Sequence, residues 1–286
     1  MRALQALEPN VVTNMAPDHP IQITIRPLQY ADTEACARIT ASAFSTDRHT
    51  IVKQIGGKPF DMYEVSRTRF LATLHRKNYI YVKAVDDARN IVGHAGWGFR
   101  GVDEEKIPWK GPDDELVTGE GRASQKDERK CKDNISVAKV EKDSLGDEEK
   151  EGIDRLHALE DADMQHTMAS LMPPGISCMY ISGLIISPEH QSHGVGSALI
   201  KYGNAIADRL GVFTWVHSSD QAWKAYAKFG YEVVKELEID LDEYAPSPPE
   251  KAWAEKLKGT GEGVTAERWG TYVIRYMKRL PEIKGL

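Results

Sequence analysis

The sequence predicts an α/β fold, a single domain of about seven strands and four or more helices that carries two insertions. Three stretches support that prediction. Ile21, Ile23 and Ile25 alternate with Gln22, Thr24 and Arg26, the period of a half-buried strand. Val195, Leu199, Tyr202, Ile206 and Leu210 fall on one stripe of a helix, and Gly211 stands where a C-terminal stop belongs. Tyr231, Val233, Leu237, Ile239 and Leu241 alternate with Glu232, Glu236, Glu238 and Asp240, which reads as a strand with one apolar and one acidic face.

The other elements follow in chain order. Residues 1–20 hold Pro9, Pro17 and Pro20 without a clear period and read as a mobile arm; the domain proper is residues 21–286. Pro27 ends the first strand, and Asp32 is placed to cap a helix through Ala43 with Cys36, Ile39 and Ala43 on one face. Ser45 to Phe60, with Gly56, Gly57 and Pro59, reads as a loop, and Asp61–Arg76 as a helix. Tyr79–Val85 and Asn90–Phe99 form a hairpin turned at Asp86–Arg89. Residues 101–151 are dense in charges of both signs and read as a solvated insertion. Gly152–Leu171 is helical and is stopped by Pro173-Pro174-Gly175. The apolar strand Ile176–Ile186, the loop Pro188–Gly194, the helix Val195–Leu210 and the short strand Val212–Val216 come next. A helix at Asp220–Phe229 ends at Gly230. The excursion 246–270 holds a short helix near Lys251–Leu257, and Gly270–Lys278 is the last strand.

Composition narrows the function. The 286 residues include 37 Lys and Arg against 43 Asp and Glu, a formal net charge of −6, with 41% apolar and 28% charged residues. An acidic balance argues against general nucleic-acid binding, which needs a basic footprint. The widely spaced Cys36, Cys131 and Cys178 form no CxxC pair, so neither a disulfide scaffold nor a metal site is expected, and reduced thiols fit a cytoplasmic or nuclear protein. The N-terminal stretch lacks a sustained apolar segment, and no apolar run is long enough to cross a membrane, so no membrane partner is expected.

The chemistry is concentrated in Ile181-Ser-Gly-Leu-Ile-Ile-Ser-Pro-Glu-His-Gln191-Ser-His-Gly194-Val-Gly196-Ser-Ala-Leu199. A buried strand enters a loop, and the loop opens a helix. Glycines at 194 and 196 let a ligand approach the backbone closely, and the helix N-terminus presents N–H donors and a partial positive charge to a phosphate. A Walker A loop would need a lysine after the last glycine, where Ser197 stands, and a dinucleotide fingerprint would need a third glycine where Leu199 stands. A plain turn before a helix remains the simple alternative.

Gln191-Ser-His-Gly194-Val-Gly196 resembles the Gln/Arg-x-x-Gly-x-Gly/Ala signature of the GNAT-type N-acetyltransferase superfamily. Ala222-Trp-Lys-Ala-Tyr226-Ala-Lys-Phe229-Gly230-Tyr231 is similar to that family's second element. The resemblance spans residues 21–240 and the last strand. It implies a GNAT-like mixed, mostly antiparallel central sheet flanked by helices, acetyl-CoA as co-substrate, no metal, and acetyl transfer to the amine of a small molecule by direct attack on the thioester. A protein or peptide amine as acceptor, or a CoA-binding sensor module without catalysis, are the alternatives. By the resemblance, Leu184, Ile185 and Ile186 pair their backbone with the pantetheine arm, and Gly183 fits a bulge or close approach in that strand. Gln191, Ser192, His193, Gly194, Val195, Gly196 and Ser197 hold the pyrophosphate, and a backbone N–H of Leu184 or Ile185 meets the oxyanion.

The same resemblance makes Tyr226 the group that protonates the departing sulfur. Tyr180 and Ser182 occupy the positions where relatives carry a basic side chain, and neither is a good base at neutral pH. His94, His217 and Glu189 are the alternative bases, with water-mediated proton removal beside them. Ser219 stands where many relatives carry an Asn that contacts CoA. By the resemblance, the acceptor pocket is expected from Phe44–Phe60, with Asp47 and His49, and from the excursion 246–270, with Trp253 and Trp269; Trp97 is a further candidate. Net acidity suggests a cationic amine. The residues do not set an oligomeric state; a homodimer is one option.

Overall fold

The structure is a computed structural model and describes residues 11–13, 21–55, 60–114, 147–251, 253, 257 and 263–282. Its strands are β1 (Val11–Thr13), β2 (Gln22–Pro27), β3 (Tyr79–Asp86), β4 (Ile91–Arg100), β5 (Cys178–Ile186), β6 (Phe213–Ser218), β7 (Glu232–Asp240) and β8 (Thr271–Arg279). Its helices are α1 (Thr33–Phe44), α2 (Arg48–Gln54), α3 (Met62–Thr73), α4 (Asp147–Leu171), α5 (Val195–Leu210) and α6 (Trp223–Ala227). The strands form one sheet in the order β1-β2-β3-β4-β5-β6-β8-β7. Every pairing is antiparallel except β5 with β6, so the sheet is mixed and mostly antiparallel, as expected.

The parallel pair is where the chain must cross over. β5 reaches β6 through α5, which covers one face of the sheet. Val195, Ala198, Leu199, Ile206 and Ala207 of α5 pack there with Val92, Trp97, Ile181 and Val216. The opposite face carries two further clusters. One joins Cys36 of α1 and Phe70 of α3 to Tyr81. The other joins Ile51 and Val52 of α2 and Leu156 of α4 to Trp215, Ile239, Trp269, Tyr272 and Tyr276. The second insertion enters that last cluster through Leu257 and Trp269.

Several elements differ from expectation, each for an identifiable reason. Val11–Thr13, within the expected arm, is a strand that pairs with β2; the rest of residues 1–20 lies outside the described residues. Ser45–Phe60 is not all loop: α2 forms because the carboxylate of Asp47 accepts the N–H and the hydroxyl of Thr50, a helix N-cap. Asp32 does not cap α1 with its side chain; its carboxylate accepts the Gln29 N–H in a capping box on the 3-10 turn Tyr30–Asp32 that leads into α1, and pairs with Lys83. α4 starts five residues before the expected Gly152, at Asp147. Most of the charged insertion, residues 115–146 including Cys131, lies outside the described residues.

β7 does not keep one face. Val233 pairs with Met277 and Lys235 with Tyr276, so Val234 is an extra residue. That bulge reverses the alternation: Tyr231 packs on the α5 side, Ile239 and Leu241 on the other, and Val233 is left 42% exposed.

Candidate functional site

β5 and β6 pair at Cys178 with Phe213, Met179 with Thr214, Tyr180 with Trp215 and Ile181 with Val216, and there the ladder ends. Both strands continue, β5 to Ile186 and β6 to Ser218. The two therefore part, and Ser182–Ile186 keeps only β4 as a neighbour: Gly96 faces Gly183, Ala95 faces Leu184, His94 faces Ile185 and Gly93 faces Ile186. A second irregularity sits at the same point. Trp97 pairs with Ile181 and Gly96 with Gly183, so Ser182 is a bulge. The bulge thus falls one residue before the expected Gly183. It turns the Ser182 carbonyl out of the ladder, where the Arg69 guanidinium of α3 donates to it at 2.9 Å. A strand with half-buried side chains and one free backbone edge is what an extended ligand can pair with.

The loop that follows returns the chain to this wedge. Ser192 has φ +64° and Gly194 φ +85°, two left-handed residues with one between. Gly194 is the N-cap of α5 and supplies no side chain, and the first intrahelical bond is Ala198 N–H to the Gly194 carbonyl at 3.0 Å. The N–H groups of Val195, Gly196 and Ser197 precede it and point out of the helix mouth. The His193 ring bonds the Gln191 carbonyl at 2.7 Å, which fixes the turn from within. A Cβ on Gly196 would lie 3.6 Å from Ile186 and 3.9 Å from Leu184, so the helix mouth rests directly on the free end of β5. No Lys or Arg lies in Gln191–Ser197, so the cradle is made of backbone dipoles. A pyrophosphate with an extended arm fits this arrangement, because the anion site and the free strand edge adjoin.

α6 follows β6 directly. Ser219 accepts the Ala222 N–H and the Ser218 hydroxyl on its carbonyl, so here it shapes the turn into α6. Tyr226 is 5% exposed, packs edge-to-face on Tyr231 at 5.6 Å, and its hydroxyl has no hydrogen-bond partner among the described residues. Burial pushes its pKa up, so it is a neutral phenol that can donate.

Across the sheet, the two positions expected for a base are not basic. The Tyr180 hydroxyl bonds that of Tyr79 at 2.8 Å, and burial pushes its pKa up as well. The Tyr180 ring lies over Gly98, where any Cβ would meet it at 2.2 Å. Ser182 Oγ is buried beside the Tyr81 ring, with no hydrogen-bond partner within bonding geometry among the described residues. His94 is enclosed, sharing a 3.0 Å bond with Thr40 and a 3.2 Å bond with the Cys36 carbonyl, and burial lowers its pKa to about 4. Glu189 is exposed on the 3-10 turn before the cradle. His217 differs in position and not in pKa: it is exposed near the end of β6, at the mouth of the wedge, and desolvation lowers its pKa to about 4 as well.

The expected acceptor residues separate. Asp47 is a cap, held also by the Tyr272 hydroxyl at 2.9 Å. Trp97 and Trp269 belong to the core, at 0% and 1% exposure, and Trp269 donates to the Ser247 carbonyl. Trp253 is half-buried against the α2–α4 cluster. His49 does reach this side of the sheet, stacked on Tyr272 at 4.9 Å and bonded to Glu160.

Glu160 is the residue that sequence reasoning missed. It looks like one more acid on a charged helix, yet His49 and Lys53 of α2 both bond it, more than 100 positions away in the chain. Burial pushes the Glu160 carboxyl up, but the bond and charge of His49 together with Lys53 outweigh that and hold it at about 2. A folded pKa below the unfolded value of about 4.3 contributes stability above that value. The contribution is lost as pH falls from about 4.3 towards 2. Urea midpoints measured from pH 6 to pH 2.5 should therefore fall less steeply for Glu160→Gln than for the wild type in the acid window; parallel curves would show that the pair carries no linkage.

Residues 124–240 match the family model described as Acetyltransferase (GNAT) domain. That part of the chain is similar to a GNAT acetyltransferase domain. The matched span includes α4, β5, the cradle, α5, β6, α6 and β7, and so both strands of the wedge. Among solved structures, a yellow fever mosquito protein assigned as arylalkylamine N-acetyltransferase 7 is 11% identical, with 98% of each chain covered and a TM-score of 0.52. A mosquito arylalkylamine N-acetyltransferase-like protein, 5b, is 15% identical over 90% of this chain and 99% of its own, at a TM-score of 0.49. A Corynebacterium glutamicum structure described as a histone acetyltransferase and related acetyltransferase is 14% identical over 92% and 99%, at 0.45. At these identities the likeness concerns the fold. Among curated protein sequences none matches the chain.

Proposed function

We propose that this domain transfers an acetyl group from acetyl-CoA to the amine of a small molecule. The observation that carries the proposal is the junction of the α5 N-terminus, which begins at a left-handed glycine, with the edge of β5 that β6 leaves. Val195, Gly196 and Ser197 would take the diphosphate on their N–H groups, with Gln191, Ser192, His193 and Gly194 forming the turn. Leu184, Ile185 and Ile186 would pair with the pantetheine arm, which aims the thioester at the point where β5 and β6 part. There an amine nitrogen attacks the acetyl carbon. The C–N bond forms, the C–S bond breaks, the nitrogen loses a proton to a base or water, the CoA sulfur gains one from the Tyr226 hydroxyl, and solvent returns a proton to the Tyr226 phenolate. A β5 backbone N–H beside the carbonyl would stabilise the oxyanion, a contribution of roughly 3–4 kcal/mol where single donors have been removed from such sites.

The yellow fever mosquito fold neighbour assigned as an arylalkylamine N-acetyltransferase supports a small amine as the acceptor class. A cationic acceptor would meet carboxylates that are already ion-paired in Glu160, Asp163 and Asp220, with Lys53, Lys235 and Arg275 respectively, although Oδ2 of Asp163 keeps no hydrogen-bond partner. Recognition of the amine as a neutral nucleophile fits this better than recognition of its charge.

Acetyl-CoA at about 100 times its dissociation constant should stabilise the fold by about 2.7 kcal/mol. Thermal unfolding with and without the ligand checks this, and the release of CoA thiol with a panel of arylalkylamines and polyamines checks turnover. Absence of any shift at millimolar acetyl-CoA would overturn the binding reading. A shift without thiol release from any amine would leave a CoA-binding module.

A further inference from the structure

We propose that His217 is the general base that takes the proton from the acceptor amine. This rests on the acetyl-transfer reading above and adds the residue that the β5 positions do not supply.

The placement comes from strand register. The β5–β6 ladder ends at Ile181 with Val216. His217 is the next residue of β6, so it is the first one past the fork, level with the bulged Ser182. Along β6 the side chains alternate, with Val216 on the α5 side and Trp215 on the other. His217 therefore emerges on the face opposite the cradle, the side from which an acceptor can reach a thioester lying on β5.

The accessibility of His217 is unusual for its surroundings. It is exposed while flanked by buried Val216 and Ser218, and its cross-strand partner on β8, Tyr276, is 1% exposed with its ring 5.2 Å away. Exposure on a strand so enclosed describes the floor of an open cleft. Its ring has no hydrogen-bond partner among the described residues. Three other histidines of the region are engaged, His94 by Thr40 and Cys36, His49 by Glu160 and His193 by Gln191, while Nδ1 of His190 is unpartnered but buried. An accessible imidazole with both nitrogens uncommitted can accept a proton from a bound amine directly or through one water.

The groups facing it keep it neutral. His49 and Lys53 of α2 oppose a positive imidazole, Glu160 and Asp163 of α4 favour one, and Tyr276 of β8 packs on it. Glu160 is committed to His49 and Lys53, and Asp163 to Lys235 of β7. One edge of the ring is open to solvent, but the packing of α2, α4 and β8 around the rest desolvates it and lowers its pKa to about 4, so at neutral pH the ring is unprotonated. As the C–N bond forms, the amine proton passes to a His217 ring nitrogen and from there to solvent through the open cleft.

The test combines binding and turnover. In the wild type, 15N-histidine spectra should show the His217 resonance, assigned by its loss in His217→Gln, shifting when CoA saturates the protein. In His217→Gln, kcat should fall about 10²-fold or more. The thermal stabilisation by acetyl-CoA should persist, and the acid limb of the kcat–pH profile should disappear. An unmoved His217 resonance on saturation, or full turnover in His217→Gln, would overturn the assignment while leaving acetyl transfer intact. Failure of the wild type to bind acetyl-CoA would instead defeat the reading on which it rests.

Discussion

Tyr226→Phe should lower turnover by about 10²–10⁴-fold and leave acetyl-CoA affinity unchanged. The reasoning joins burial to chemistry. Tyr226 is 5% exposed on α6, and burial raises its pKa, so at neutral pH it holds its proton. Its hydroxyl has no hydrogen-bond partner among the described residues, so no protein group is left unsatisfied when the oxygen is removed. The ring keeps its edge-to-face packing on Tyr231, whose own hydroxyl donates to Asn204 at 2.9 Å. Stability should thus change little, and a lost rate reports the missing proton donor. Steady-state kcat, the KM for acetyl-CoA and the unfolding midpoint measured together decide it. Unchanged kcat would assign Tyr226 to packing.

Gly203→Ala should destabilise the domain although it places a better helix former in α5. Alanine in a helix interior gains about 1 kcal/mol over glycine. Here the new Cβ would lie 2.4 Å from Trp97 Nε1, 2.5 Å from Cε2 and 2.7 Å from Cζ2. Trp97 is 0% exposed and cannot swing away, so the ring or the helix must move. Overpacking of this kind costs typically 1–3 kcal/mol and occasionally more. Three contacts under 3.0 Å place it at the upper end, so the net loss is about 2 kcal/mol. That corresponds to a fall in Tm of roughly 4–8 °C for a chain of this size. In a double-mutant cycle, Trp97→Phe should cost less in the Gly203→Ala background than in the wild type, because it opens the space that the methyl needs. A Tm that rises in Gly203→Ala would mean that α5 stands further from β4 than described.

The large effect at Gly203 shows where local reading loses its hold. Gly203 looks like a weak point in the most regular helix of the chain. Its reason is a tryptophan on β4, 106 residues earlier in the sequence. Glu160 teaches the same lesson at the site: on α4 it is an ordinary acid, and it acquires a partner set only when α2 is laid beside it. α2 itself escaped notice because seven residues beginning Arg-His-Thr present too short a pattern to register, while its Asp47 cap is a tertiary hub.

What local patterning carried, it carried well. The stripe of α5, the stop at Gly211 and the Gly194-x-Gly196 cradle depend on near neighbours and on backbone geometry, and each is found where the residues put it. The strand before the cradle and the helix holding Tyr226 are likewise local. Which groups face one another across the fork is another matter. The parallel ladder that stops at Ile181, the bulges at Ser182 and Val234, the enclosure of His94 and the openness of His217 all follow from strand register and from packing between distant segments. Burial, hydrogen-bond partners and pKa are properties of a neighbourhood, and a neighbourhood exists only once the chain has closed on itself.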